Sequence, residues 1–289
     1  MECFDLLVNG GLDVLELSQQ ERTSGQLSQE TLNLAVAAVR NNGYMLFERL
    51  LPEDLVAQMR ESLARLLESH THETDPNRGA NRYQMHLPFE SPFSDERVVA
   101  NPLVLPIVEA LVGEDCICHY LASDTALPGS EYQAVHPDIY QLFPEQPAFL
   151  PPYSIVVNVP LVDAHEDNGP LEVWPGGTHH YVADAAQVPM LAASMQSQRV
   201  LMPAGSVLVR DSRMWHRGTP NRSNEARPNF TLIYSRFWLK LRYRPIPISR
   251  TAYNALSPRA QRLFRLENIA DDPDKSKDVD PNRFYARAG

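Results

Sequence analysis

Cysteine is scarce, with Cys3, Cys116 and Cys118 the only three in 289 residues. Three thiols cannot form a disulfide framework, and Cys116-x-Cys118 is too tightly spaced for an ordinary bridge or a zinc knuckle. A reducing compartment is therefore expected. No apolar run reaches the roughly 18 residues of a membrane span, and the start, Met-Glu-Cys-Phe-Asp, lacks the basic-then-apolar pattern of a secretory signal. A cytoplasmic protein without a membrane partner is the expectation. Basic excess is missing too: 26 Lys and Arg stand against 36 Asp and Glu, giving a formal charge of −10 and a pI near 5.4. That balance argues against a nucleic-acid or anionic-membrane binder and is compatible with a cationic substrate. Gly-x-Ser-x-Gly, the P-loop, the dinucleotide glycine fingerprint and the zincin motif His-Glu-x-x-His are absent, which removes the chemistries they carry.

What is present is ordinary globular material: 43% hydrophobic and 21% charged residues, enough to build a core. Without repeats or a dividing linker, residues 1–289 are expected to form one domain. Its parts are a helical region over 28–113, a β core over 116–240 and an extension over 241–289. Ser28 caps a helix whose Leu32, Val36 and Val39 share a face, ending at Asn42-Gly43, with a short strand at 43–47. Pro52 starts a second helix along Leu55, Met59, Leu63 and Leu67, and 69–81 reads as loop. Asn101-Pro102 starts a third, closed by Gly113. Strands are expected at 116–123, 131–139, 153–161, 171–175, 198–202, 206–210 and 229–239, and a loose charged tail at 271–280. The pattern predicts a mainly β fold with flanking helices, of the sandwich or jelly-roll type.

The chemistry gathers at His136-Pro137-Asp138. On a strand, positions i and i+2 face the same way, so imidazole and carboxylate converge. His216, in Asp211-Ser-Arg-Met-Trp-His216-Arg-Gly, supplies a third ligand from a distant segment. Two His and one carboxylate with three open positions suit iron(II) oxygenases. Arg227, eleven residues after His216, offers the planar fork that a carboxylate needs, with Arg236 and Arg213 as alternatives. Competing readings are a zinc hydrolase with the same ligand types and a cupin-like, non-oxygenase metal-binding protein.

Gln133-x-x-His136-x-Asp138, Asn168-Gly-Pro-Leu-Glu-Val-Trp174-Pro-Gly-Gly-Thr-His179, Trp215-His216-Arg-Gly218 and Arg227 together resemble the phytanoyl-CoA dioxygenase family. The resemblance covers about 30–245, and Leu127-Pro-Gly-Ser130 adds a likeness to its bacterial natural-product members. It implies a cupin-like double-stranded β-helix holding Fe(II) on His136, Asp138 and His216, with 2-oxoglutarate as cosubstrate and O2 as oxidant. Arg227 would hold 2-oxoglutarate, and Gln133 and Trp174 would contact or brace it. The implied reaction is hydroxylation, or removal of a group through a hydroxylated intermediate, on a small-molecule substrate. A small polar, amine-bearing natural product is preferred over an acyl-CoA thioester because of the net charge.

Other residues carry weaker expectations. The segment 81–93 mixes aromatic and polar residues with two prolines and is expected to be an irregular lid. Arg82, Tyr83 and His86 within it, and Tyr140 in the core, are the candidate substrate contacts. His70, His72 and His165 read as loop, His119 as a satisfied core histidine, and His179 and His180 as surface or supporting groups. Whether the protein is a homodimer is left open.

Overall fold

The computed structural model describes residues 14–143, 145, 150–181, 184–239 and 244–273. The tail expected at 271–280 therefore lies mostly outside the described residues. Ser18 opens α1 (Gln19–Ser24) through a capping box with Glu21, a helix too short to show periodicity in the sequence. Ser28 accepts the Thr31 amide to start α2 (Gln29–Asn42), as expected. Gly43 ends that helix at φ +92°, and a Cβ there would come within 3.0 Å of His179 Nδ1. β1 (Tyr44–Phe47) follows, fully buried. α3 (Glu53–Glu73) buries Leu55, Met59, Leu63 and Leu67. It continues through 69–73, where composition suggested loop, because polar side chains on an outward face do not end a helix.

The segment after α3 corrects a larger expectation. Instead of a lid, Arg82–His86 forms β2, paired antiparallel to β3 (Ile117–Ala126). Its residues alternate, with Tyr83 and Met85 entering the main core. Leu87, Phe89 and Phe93 are buried after it, and Phe89 meets Phe264 edge-to-face at 4.7 Å. Apolar burial on this scale fixes the segment in place. α4 (Glu96–Val99) and α5 (Leu105–Val112) follow; α5 begins later than Asn101, whose side chain instead accepts the Leu103 amide in a turn.

Next come β4 (Ser154–Pro160), β5 (Leu171–Val173), a 3-10 turn at Thr178–His180, α6 (Val188–Ala192), β6 (Gln198–Val200), β7 (Val207–Asp211), β8 (His216–Gly218) and β9 (Arg227–Ser235). The stretch 131–139 is not a strand: only His136 bridges, to His216, and Pro137 has no N–H to continue a ladder. The extension holds β10 (Pro247–Ser249), α7 (Arg250–Ala255), α8 (Pro258–Phe264) and β11 (Asn268–Ala270). Ile248, Leu263 and Phe264 from it join the main core.

Six strands make one sheet, in the order β1-β7-β4-β9-β3-β2, and three make a second, β6-β5-β8. The strand pairings in these two sheets are antiparallel. One face of the large sheet, through Ile155, Val157, Val207, Val209, Phe230 and Leu232, packs against the helices. Its other face looks toward the small sheet. This is a double-stranded β-helix with flanking helices, and the space between its sheets is where polar residues collect. Among the described residues no helix is long and apolar enough to cross a membrane.

Candidate metal centre and cavity

The cavity between the sheets is lined from the large sheet by residues that alternate with the core set. They are Arg82 and Gln84 on β2, Asp124 on β3, Asn158 on β4, Arg210 on β7, and Arg227, Asn229 and Thr231 on β9. From the other side come Gln133, His136, Asp138, His216 and Gly218. One metal-competent group exists among the described residues: His136, Asp138 and His216, with ligand atoms all within 4.8 Å of one another.

Backbone bonds bring these three together in place of the expected strand. His136 and His216 exchange both amide–carbonyl bonds at 3.0 Å, and the Asp138 amide donates to Ser212 O at 2.9 Å. Nδ1 of His136 donates to Ala134 O at 2.7 Å, and Nδ1 of His216 to Met214 O at 2.9 Å. Both rings thereby keep Nε2 as the unprotonated, metal-facing nitrogen. Burial, and then the neighbouring His216, pull the His136 imidazole down to about 4, so it stays neutral and able to ligate at neutral pH. Burial works against the Asp138 carboxylate, but the Arg210 guanidinium outweighs it and holds the carboxyl well below its usual range. This donor set fits iron(II).

The other end of the cavity carries two guanidinium groups. Arg82 pairs with Ala126, which pairs with Arg227, so both arginines share the inward face with only a methyl between them. Arg82 is 1% exposed, sits 3.4 Å from Asp124 Oδ1, and donates to Thr219 O at 2.9 Å. The Nε atoms of both arginines are buried without a hydrogen-bond partner. Burial, and then Arg82, lower the Arg227 guanidinium to about 10, which leaves it cationic at neutral pH. Two close cations with unused buried donors form a ready site for a carboxylate. Gly218 closes over this end: a Cβ there would stand 2.6 Å from Arg82 Cζ.

The remaining candidates divide. Gln133 lines the cavity and braces it, accepting the Gly218 amide at 2.8 Å. Trp174 does not reach the cavity; its indole donates to Ala192 O and packs with Val135, Val188 and Trp215, because the inward face of the small sheet is taken by smaller side chains. Tyr83 points into the core by strand alternation. His86 is exposed and lies edge-to-face on Tyr120, a cavity-lining residue. Tyr140 is exposed on a shallow recess with Tyr181 and Trp215. Arg213 is committed to Asp211, and Arg236 to backbone carbonyls, so neither substitutes for Arg227. His119 is a core histidine bonded to Ser235 Oγ at 2.8 Å, as expected. His179, expected as a surface or supporting group, is buried with Nε2 donating to Arg40 O. Arg210 was missed. A charged residue inside the apolar strand Val207-Leu-Val-Arg210 is the signal that marks it.

Known proteins resemble the chain over most of its length. The chain is 24% identical over 261 residues, covering 83% of it, to 79% of Dioxygenase af480 of Aspergillus fumigatus. The crystal structure of AviO1 from Streptomyces viridochromogenes Tue57 is similar with a TM-score of 0.55 and 22% identity, over 72% of this chain and 96% of that one. The non-haem alpha-ketoglutarate-dependent epimerase SnoN from nogalamycin biosynthesis gives 0.56 and 19%, over 72% and 84%. The family profile described as Phytanoyl-CoA dioxygenase (PhyH) matches residues 39–229. The chain thus belongs to the phytanoyl-CoA dioxygenase family, whose members are non-haem iron, 2-oxoglutarate-dependent oxygenases.

Proposed function

We propose that this protein oxidises a C–H bond of a small polar metabolite, using Fe(II) on His136, Asp138 and His216 and 2-oxoglutarate anchored by Arg227 and Arg82. The observation that carries the reading is the pairing of the His-Asp-His group with the two-arginine end within one cavity. When bound, iron(II) couples O2-driven decarboxylation of 2-oxoglutarate to succinate and CO2 with oxidation of the substrate. Arg227 and Arg82 would fix the distal carboxylate by charge-assisted bonds, orienting the keto acid toward the metal end. Gln133 would hold Gly218 so that the Arg82 guanidinium stays seated. The small sheet would cover the site and limit water.

An amine-bearing substrate, expected from the net charge, finds little support in the lining. Its acids, Asp124 and Asp138, already face Arg82 and Arg210. A cytoplasmic location is proposed from the buried free thiols Cys116 and Cys118. The test is succinate release from 2-oxoglutarate under air across a panel of polar metabolites and acyl-CoA thioesters. Fe(II)-dependent succinate formation stimulated by a polar metabolite supports the reading. Stimulation by acyl-CoA alone would move the substrate class, and absence of any succinate would remove the activity.

A further inference from the structure

Arg210 lies on β7 with a side chain 5% exposed, and its Nη2 is 2.6 Å from Asp138 Oδ2. The other carboxylate oxygen, Oδ1, is 3.5 Å from His216 Nε2, on the side where the metal ligands converge. The guanidinium is itself held from behind. Its Nε donates to Asn158 Oδ1 at 3.0 Å, and Asn158 Nδ2 donates to Thr231 Oγ1 at 3.0 Å. Thr231 Oγ1 also receives Asn229 Nδ2 at 3.2 Å. A buried polar ladder across β7, β4 and β9 thus ends on one oxygen of Asp138. A carboxylate facing a divalent ion can offer one oxygen or both. Two imidazole nitrogens and one oxygen leave three of six octahedral positions, which the keto acid and O2 together require. If both oxygens turned to the metal, two positions would remain and 2-oxoglutarate alone would fill them.

We infer that Arg210 is a positioning residue that restrains Asp138 to one metal-facing oxygen and so keeps the last coordination position open. The inference rests on the iron-binding reading above and deepens it. Without Arg210, Oδ2 would face no other cation among the described residues and would turn toward the metal.

The experiment uses the full chain. Nitric oxide stands in for O2, giving an iron-nitrosyl EPR signal with the anaerobic Fe(II)–2-oxoglutarate form, and Mn(II) binding is measured by calorimetry. Arg210→Met should keep Mn(II) and 2-oxoglutarate binding near the wild-type values, yet lose most of the nitrosyl signal, because the last coordination position would be filled. Arg210→Lys, which restores a cation and one donor, should recover most of the signal. An undiminished signal in folded Arg210→Met overturns the inference. So does loss of Mn(II) binding, since Arg210 would then be holding the ion in place. If Arg210→Met fails to fold, a crystal structure of the wild type with Mn(II) and 2-oxoglutarate decides. One Asp138 oxygen on the ion and one on Arg210 supports the inference, and two on the ion overturns it. A wild type that binds no Mn(II) would instead remove the iron reading itself.

Discussion

At the metal end of the cavity, His136 and Asp138 come from an irregular segment and His216 from the first residue of a three-residue strand. Reciprocal backbone bonds and carbonyl-anchored imidazoles hold them. At the distal end, Arg82 and Arg227 stand on regular strands, in register across β2, β3 and β9. A metal itself draws flexible ligands into place, so local ties suffice there. A carboxylate site has no such organiser. It must hold two mutually repelling guanidiniums before the ligand arrives, and a six-stranded sheet supplies that rigidity.

The metal end should be the most sensitive to substitution. Asp138→Ala should abolish Mn(II) binding and turnover, and a variant that still turns over would remove the ligand assignment. At the distal end the two arginines should be unequal. Arg227→Met should weaken 2-oxoglutarate binding by about 3 kcal/mol, roughly a hundredfold, with Mn(II) affinity unchanged. Arg82→Met should cost only about tenfold, because Asp124 and Thr219 O already engage Arg82. Equal losses in calorimetry would contradict this division.

The two faces of β2 give a third test. Tyr83→Ala should destabilise the fold by about 3 kcal/mol in urea unfolding, yet leave 2-oxoglutarate affinity unchanged at temperatures where the protein is folded. Gly218→Ala, which puts a Cβ against the Arg82 guanidinium, should raise the apparent KM for 2-oxoglutarate several-fold. Gly176→Ala, with nothing within 4 Å, should not alter that KM.

A pH test concerns His179, which lies beside Gly43 and donates to Arg40 O from its buried ring. Burial holds its imidazole down to about 4. Its folded value is below the unfolded one, so its stabilising contribution is full above about pH 6.5 and lost as pH falls toward about 4. Stability should drop by about 2 kcal/mol between pH 7 and 5 from this group, and His179→Asn should show a shallower slope. An unchanged slope would place the acid sensitivity elsewhere.

Much of the metal end is legible in the sequence because His-x-Asp and the downstream His are chemically unusual against their background. The strand expected at 131–139 is absent, and tertiary bonds to 212 and 216 orient these ligands instead. Arg227 is marked in the sequence by its distance from His216, and the structure puts it in the same cavity. Arg82 stands out by composition, but prolines and aromatics around β2 mask its alternation. Only pairing with β3 shows which way Arg82 and Tyr83 point. Arg210 escaped because a lone charge in an apolar strand carries no spacing motif, and its partner is remote in sequence. The extension after 244 was equally silent, since its short elements bury only when docked on Phe89 and its neighbours.

On the proposed reading, one cavity holds a metal and a 2-oxo dicarboxylate at opposite ends. Calorimetric titration of the metal-free protein with Mn(II), and then of the Mn(II) form with 2-oxoglutarate, tests it directly. The wild type should bind one equivalent of each. Asp138→Ala should lose Mn(II) binding, whereas Arg227→Met should keep it and lose 2-oxoglutarate. Binding of 2-oxoglutarate to Arg227→Met with wild-type affinity would contradict the claim.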